Sequence, residues 1–127
     1  MNIRYKIAVA LLAGAALGAA TVQGLHAQAK PKAYIVTESE LLDAAALAEY
    51  TPKAQAAVRA AGGTPGIIAM GRAIAMVGEP PKRFGASEWE SVEKAQAFYN
   101  SPERNALTPL RDKAFKITRQ FIIERPN

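Results

Sequence analysis

The sequence contains no cysteine, and its single histidine, His26, lies within the first 29 of 127 residues. A domain made of the remainder has neither thiol nor imidazole. That excludes Ser-His-Asp and Cys-His nucleophilic systems, zinc or copper sites built on Cys or His, and haem ligated by either. Without cysteine, an exported chain must hold its fold without disulfides. No Asp-rich loop is present to hold calcium or magnesium, so neither a metal nor a cofactor is expected. Lysine and arginine are scattered among acids rather than clustered, which argues against a nucleic-acid partner.

What is present begins with a leader. Arg4 and Lys6 form a basic start, Ile7 to Ala20 carries no charge, and Ala27-Gln28-Ala29 offers small residues at the positions a signal peptidase reads. Residues 1–29 are therefore expected to be a signal peptide, and the protein to be exported, to the periplasm or outside the cell, with no membrane attachment after cleavage. The competing reading is an uncleaved anchor over residues 7–25, but that stretch is alanine- and glycine-rich and only weakly apolar. N-terminal sequencing of exported protein decides between them: a start at Lys30 is expected, and a start at Met1 contradicts it. Cleavage leaves 98 of the 127 residues and lowers the net charge from +5 to +3 by removing Arg4 and Lys6. Residues 30–127 make one domain, small enough to gain from oligomerising.

The alternation of AYIVTESEL predicts a strand over Ala33–Leu41. Asp43 then caps a helix of alanines with Leu47 and Tyr50 on one side. Thr51-Pro52 is expected to kink or restart that helix, and Gly62-Gly63 to end it, with Gly62 in the left-handed position. GIIAMGR, residues 66–72, is a second strand, extending to Val77 past a bulge at Gly71. The two prolines at 80 and 81 mark a turn, and Arg83–Glu90 is a third strand. Ser91 caps a helix with Val92, Ala95 and Phe98 on one face, and Asn100 stops it. Ser101-Pro102 and Thr108-Pro109 each restart it. Leu107, Leu110, Ala114 and Ile117 keep a helical spacing, and Thr118–Arg125 is a fourth strand. The order βαββαβ predicts an α+β, ferredoxin-like fold: two helical segments on one face of a four-stranded antiparallel sheet, the other face bare.

Strand residues alternate between the two faces. With registers assumed, Ile35, Trp89, Phe121 and Ile123 are expected under the helices. The bare face then carries Tyr34, Val36, Phe84, Ala86 and Ile122 with Glu38, Glu88 and Glu124. That mix suits a sheet that pairs with another sheet and leaves a partly polar chamber. Arg72, Arg83 and Arg119, near strand ends, are the expected partners of its carboxylates.

Several pieces of this chain together carry a resemblance. They are AYIVTESEL, the helix from Asp43 to Tyr50, Gly62-Gly63, and Pro81-Lys82-Arg83 leading into Glu88-Trp89. Downstream come Ala95-Gln96-Ala97-Phe98-Tyr99-Asn100-Ser101-Pro102-Glu103, Leu110-Arg111 and Ile123-Glu124. From Ala33 to Glu124 the chain resembles the domain of unknown function 1330 family, in the dimeric α+β barrel superfamily. The resemblance implies a homodimer of ferredoxin-like protomers paired through their sheets, a dimeric α+β barrel. It implies no reaction, and the histidine-dependent sites of superfamily relatives have no counterpart here. The chain departs from the family pattern at FGAS in strand three, where aliphatics are usual, and at Arg104, where an aromatic is common.

Glu88 is the candidate catalytic residue, a general acid or base with a pKa raised in the chamber; the plainer reading is an ion pair with Arg83 or Arg111. Tyr34, Glu38, Arg83, Tyr99 and Arg111 are the candidate ligand-binding residues, Arg111 as a holder of an anionic group. Tyr50 belongs with the other tyrosines as lining or core, and Trp89 is core. The leading functional expectation is an exported dimer that binds a small, partly apolar molecule over the helix-free face. The alternatives are a cofactor-independent isomerase or monooxygenase-like enzyme, or a purely structural dimer.

Overall fold

A computed structural model describes residues 30–126, so the expected leader lies outside the described residues. The elements are β1 (Ala33–Leu41), α1 (Ala44–Ala60), β2 (Thr64–Arg72), β3 (Arg83–Trp89), α2 (Val92–Tyr99), α3 (Pro102–Ala106), α4 (Thr108–Ala114) and β4 (Phe115–Glu124). The strands form one sheet in the order β2-β3-β1-β4, with every neighbouring pair antiparallel. This is the ferredoxin-like α+β arrangement that the element order predicts.

Local chemistry accounts for most boundaries. The Asp43 carboxylate accepts from the Ala46 amide at 3.0 Å, opening α1. At the other end, Gly62 takes φ 90°. Its amide donates to the Arg59 carbonyl and that of Gly63 to Val58, the double closure of a Schellman motif. Ser91 and Ser101 each accept an amide bond at 3.2 Å, from Lys94 and Arg104, and so start α2 and α3.

Four expectations are corrected. Helix α1 runs unbroken from Ala44 to Ala60 across Pro52 rather than restarting there. Strand β2 ends at Arg72, and Ala73–Val77 lies outside it; its pairing with β3 shifts register between Ile68 and Gly71, beside the expected bulge. Thr108 supplies no capping bond, and Leu107 stands at that N-cap without a side-chain acceptor. Finally, Ile117 lies in β4, because the helix ends at Ala114 and Phe115 is already extended at φ −157° and ψ 158°.

Strand β4 also carries the largest difference in facing. Its register against β1 runs from Ala33 opposite Glu124 to Glu38 opposite Arg119, then shifts so that Ser39 faces Ile117. The extra residue in β4 flips side-chain parity. Phe115 and Ile117 point to the helices, and beyond the bulge the even residues Gln120 and Ile122 do so. Phe121 and Ile123, expected beneath the helices, stand on the helix-free face with 37% and 47% exposure. Ile122 packs instead against the core, and Glu124, opposite Ala33, leaves the helix-free set.

The helix side holds two separate buried clusters. One joins Ala33, Ile35, Val58, Trp89 and Ala95, with Phe98 and Ile122 against it. Trp89 is 1% exposed, stacks on Phe98 at 4.8 Å and donates its indole N–H to Ser87 at 2.9 Å. The other joins Ala46, Ala114 and Phe115, with Leu47, Tyr50, Leu110 and Ile117 around them.

Candidate functional site

A cavity of about 500 Å³, partly open to solvent, lies between the helices and the sheet. Both clusters contribute to its walls: Ile35, Val58 and Phe98 from the first, and Leu47, Tyr50, Phe115 and Ile117 from the second. The helix side is therefore two cores with a gap between them. Side-chain size contributes: α1 presents Ala54 to the space, and β3 presents Gly85, opposite Thr37 of β1.

The floor comes from alternate residues of three strands. Ile35, Thr37 and Ser39 of β1 stand opposite Ser87, Gly85 and Arg83 of β3. On the β4 side Gln120 donates to the Thr37 hydroxyl at 2.8 Å. Ser39 is 1% exposed, and its hydroxyl has no hydrogen-bond partner among the described residues. The walls carry Tyr50 and Thr51 from α1, Tyr99 from α2, Arg104 from α3 and Leu107 and Arg111 beside it. Burial pushes the Tyr50 phenol above its usual pKa, against the pull of the Arg111 and Arg104 charges. Both cations therefore act on the Tyr50 end of the cavity. Arg104 lies over the Tyr99 ring at 4.0 Å. Arg111 donates twice to Asp112, at 3.0 and 2.8 Å.

The residues singled out from the sequence divide between the two sides of the sheet. Arg83, Tyr99 and Arg111 line this cavity. Tyr34, Glu38 and Glu88 stand on the helix-free face: Tyr34 is opposite Glu88, and Glu38 opposite Phe84. Glu38 is held by Arg119 through paired bonds of 3.0 and 2.7 Å, the fork geometry of a guanidinium on a carboxylate. Arg119 in turn lies 5.7 Å from the Phe121 ring. The partner of Glu88 is Lys32, at 2.7 Å, and not Arg83 or Arg111. The Lys32 hydrogen bond, with help from the Tyr34 hydroxyl, holds the Glu88 carboxyl below its ordinary pKa despite some desolvation. The expected upward shift is thus reversed in sign, because the neighbouring cation outweighs burial. A carboxylate so held is a poor general acid near neutrality.

Ser39, Gly85, Leu107 and Gln120 were not among the residues singled out from the sequence as site candidates. A helix-facing serine in β1 follows from strand parity, but that its hydroxyl is unpaired depends on contacts no local pattern records. Among the described residues, no group of three or more Asp, Glu, His or Cys is placed to hold a metal ion, and no helix is long and apolar enough to cross a membrane.

Solved structures with the same architecture exist. One is a protein of unknown function, RPA0582, from Rhodopseudomonas palustris, with a TM-score of 0.61 and 15% identity, covering 84% of this chain and 92% of that one. The methylated form of RPA0582 is similar at a TM-score of 0.58 and 14% identity, covering 84% of this chain and 90% of that one. At such identities the likeness concerns the fold alone. No curated protein is similar enough to the chain to match it. The family described as "Domain of unknown function (DUF1330)" matches residues 32–125, the whole of the sheet and its helices, and the chain belongs to that family.

Proposed function

We propose that this protein binds a small, partly apolar organic molecule in the cavity between helices and sheet. The observation that carries the reading is the gap itself. Two buried clusters that a tightly packed domain would merge are separated by about 500 Å³ of lined space. Protein interiors are otherwise close-packed, so a lined opening of this size between two buried clusters departs from the packing around it. The volume falls in the range of small-molecule sites, and the lining, mostly apolar with a few converging polar groups, has their usual character.

The test is a thermal-unfolding screen of the purified protein against small aromatic and aliphatic acids, amides and alcohols. A ligand that binds only the folded state raises the midpoint progressively with its concentration. Gly85→Val would project two methyl groups from the floor into the gap, at a backbone position whose φ is not positive. Compounds that stabilise the wild type should not stabilise this variant. A blank across the panel, or equal shifts in wild type and variant, contradicts the reading.

We also propose that the exported protein is a homodimer paired through its helix-free faces. The support is the character of that face. Val36 and Ala86 form a low apolar floor, Phe121 and Ile123 rise beside them in part exposed, and the carboxylates among them are already neutralised by Arg119 and Lys32. Sedimentation of the purified protein should give twice the protomer mass, and a monomer at high concentration contradicts it. With Glu88 on that face and paired, no observation favours the isomerase or monooxygenase-like alternative.

A further inference from the structure

We infer that the molecule bound in this cavity is an organic monocarboxylate, its anionic end held by Arg83 and Ser39 and its apolar body lodged between the two core clusters; the inference rests on the proposal that the cavity is a binding site. The first observation is a charge imbalance. Arg83, Arg104 and Arg111 line the space, and no aspartate or glutamate does. A cleft lined by one sign of charge against apolar walls concentrates its field and draws the opposite charge.

The three arginines are not equivalent. Arg111 is engaged by Asp112, and Arg104 lies over Tyr99. The Arg83 guanidinium has neither a hydrogen-bond or ion-pair partner nor a ring contact among the described residues, whereas Arg104, also without an ion pair, is placed by Tyr99. It stands directly opposite Ser39 in the antiparallel register, and residues so paired have Cβ atoms about 5 Å apart on one face. From neighbouring positions on one face, the flexible arginine side chain and the short serine can both be brought to one carboxylate.

The second observation is independent of charge. Ser39 is among the residues lining the cavity, and its hydroxyl lies unpaired just beneath that surface, where a rotation about χ1 brings it to a bound group. A buried polar group left without a partner is unfavourable, and in native structures it calls for an explanation. A carboxylate oxygen accepting from both Ser39 and Arg83 supplies one, through hydrogen bonds of the stronger, charge-assisted kind. One guanidinium and one hydroxyl match a monoanion better than a phosphate dianion, whose three oxygens would leave acceptors unmet.

The experiment is calorimetric titration at neutral pH with matched pairs: octanoate and octanamide, cinnamate and cinnamamide, 2-naphthoate and 2-naphthamide. Within the pair that fits, the acid should bind about ten-fold tighter than its amide. Arg83→Gln should remove that advantage and leave the amide's affinity unchanged. Ser39→Ala should weaken the acid several-fold while the unfolding midpoint does not fall, since it deletes an unsatisfied group. Those opposite effects separate a ligand contact from a structural one. Equal binding of acid and amide, or an acid whose affinity Arg83→Gln leaves intact, overturns the carboxylate assignment while the cavity stays a binding site. Failure of every compound to bind removes the binding site and the inference together.

Discussion

At the scale of single residues, Gly63 and Trp89 set the tightest constraint. A Cβ on Gly63 would meet the Trp89 ring at 2.7 Å. Trp89 cannot yield, since Phe98 stacks on it and Ser87 holds its indole. Gly63 has no positive φ, so the demand is for space and not for backbone freedom. Gly63→Ala should therefore cost about 1–3 kcal/mol, the usual range for overpacking a core, read as a lower midpoint in chemical denaturation. An unchanged midpoint would mean the ring has room to move. The residues of functional interest differ in how far the sequence exposed them. Arg83 and Arg111 were visible as cations near strand and helix ends. Glu88 was visible too, but the sign of its pKa shift was not, because it depends on Lys32, a residue 56 positions away that the fold brings within 2.7 Å.

At the scale of elements, alternation and caps carried most of the information. Strand β1 spans the predicted Ala33–Leu41, and Asp43, Ser91 and Ser101 each cap as their chemistry suggests. The failures have physical causes. Leu107, Leu110, Ala114 and Ile117 keep a helical period, yet the period continues into a strand because Ile117 is apolar in either conformation. The bulge in β4 is invisible to parity, since nothing in Ile117-Thr118-Arg119-Gln120 marks an extra residue. Its consequence is testable on β4 itself. Phe121→Glu should weaken the proposed dimer and leave each protomer folded, whereas Ile122→Glu, one residue on, should unfold the protomer by burying a charge against the core. Sedimentation and circular dichroism read the two outcomes. The reverse pattern would return β4 to the parity expected from sequence.

At the scale of the whole molecule, the sheet divides two tasks between its faces. The helix-free face pairs each carboxylate of interest with a cation and keeps an apolar strip between the pairs. The helix side leaves a gap, lines it with arginines and holds one unpaired hydroxyl, that of the lining residue Ser39, just beneath its surface. The fold class was legible in the order of elements. The gap was not, because small lining residues such as Ala54 and Gly85 read equally well as close packing. The expectation of a chamber over the bare face followed from placing Glu38, Glu88 and Glu124 together there. Ion pairing of the first two and the β4 bulge that removes the third leave that face with less to offer a ligand.

Methyl NMR tests the location of the binding site most directly, because alternate strand residues report opposite faces. On titration with the best stabilising acid, binding between helices and sheet should perturb methyl resonances at Ile35, Leu47, Leu107 and Ile117, all lining the gap, and leave those at Val36 and Ile123 unperturbed. Perturbation confined to Val36 and Ile123 would contradict it and return the ligand to the helix-free face.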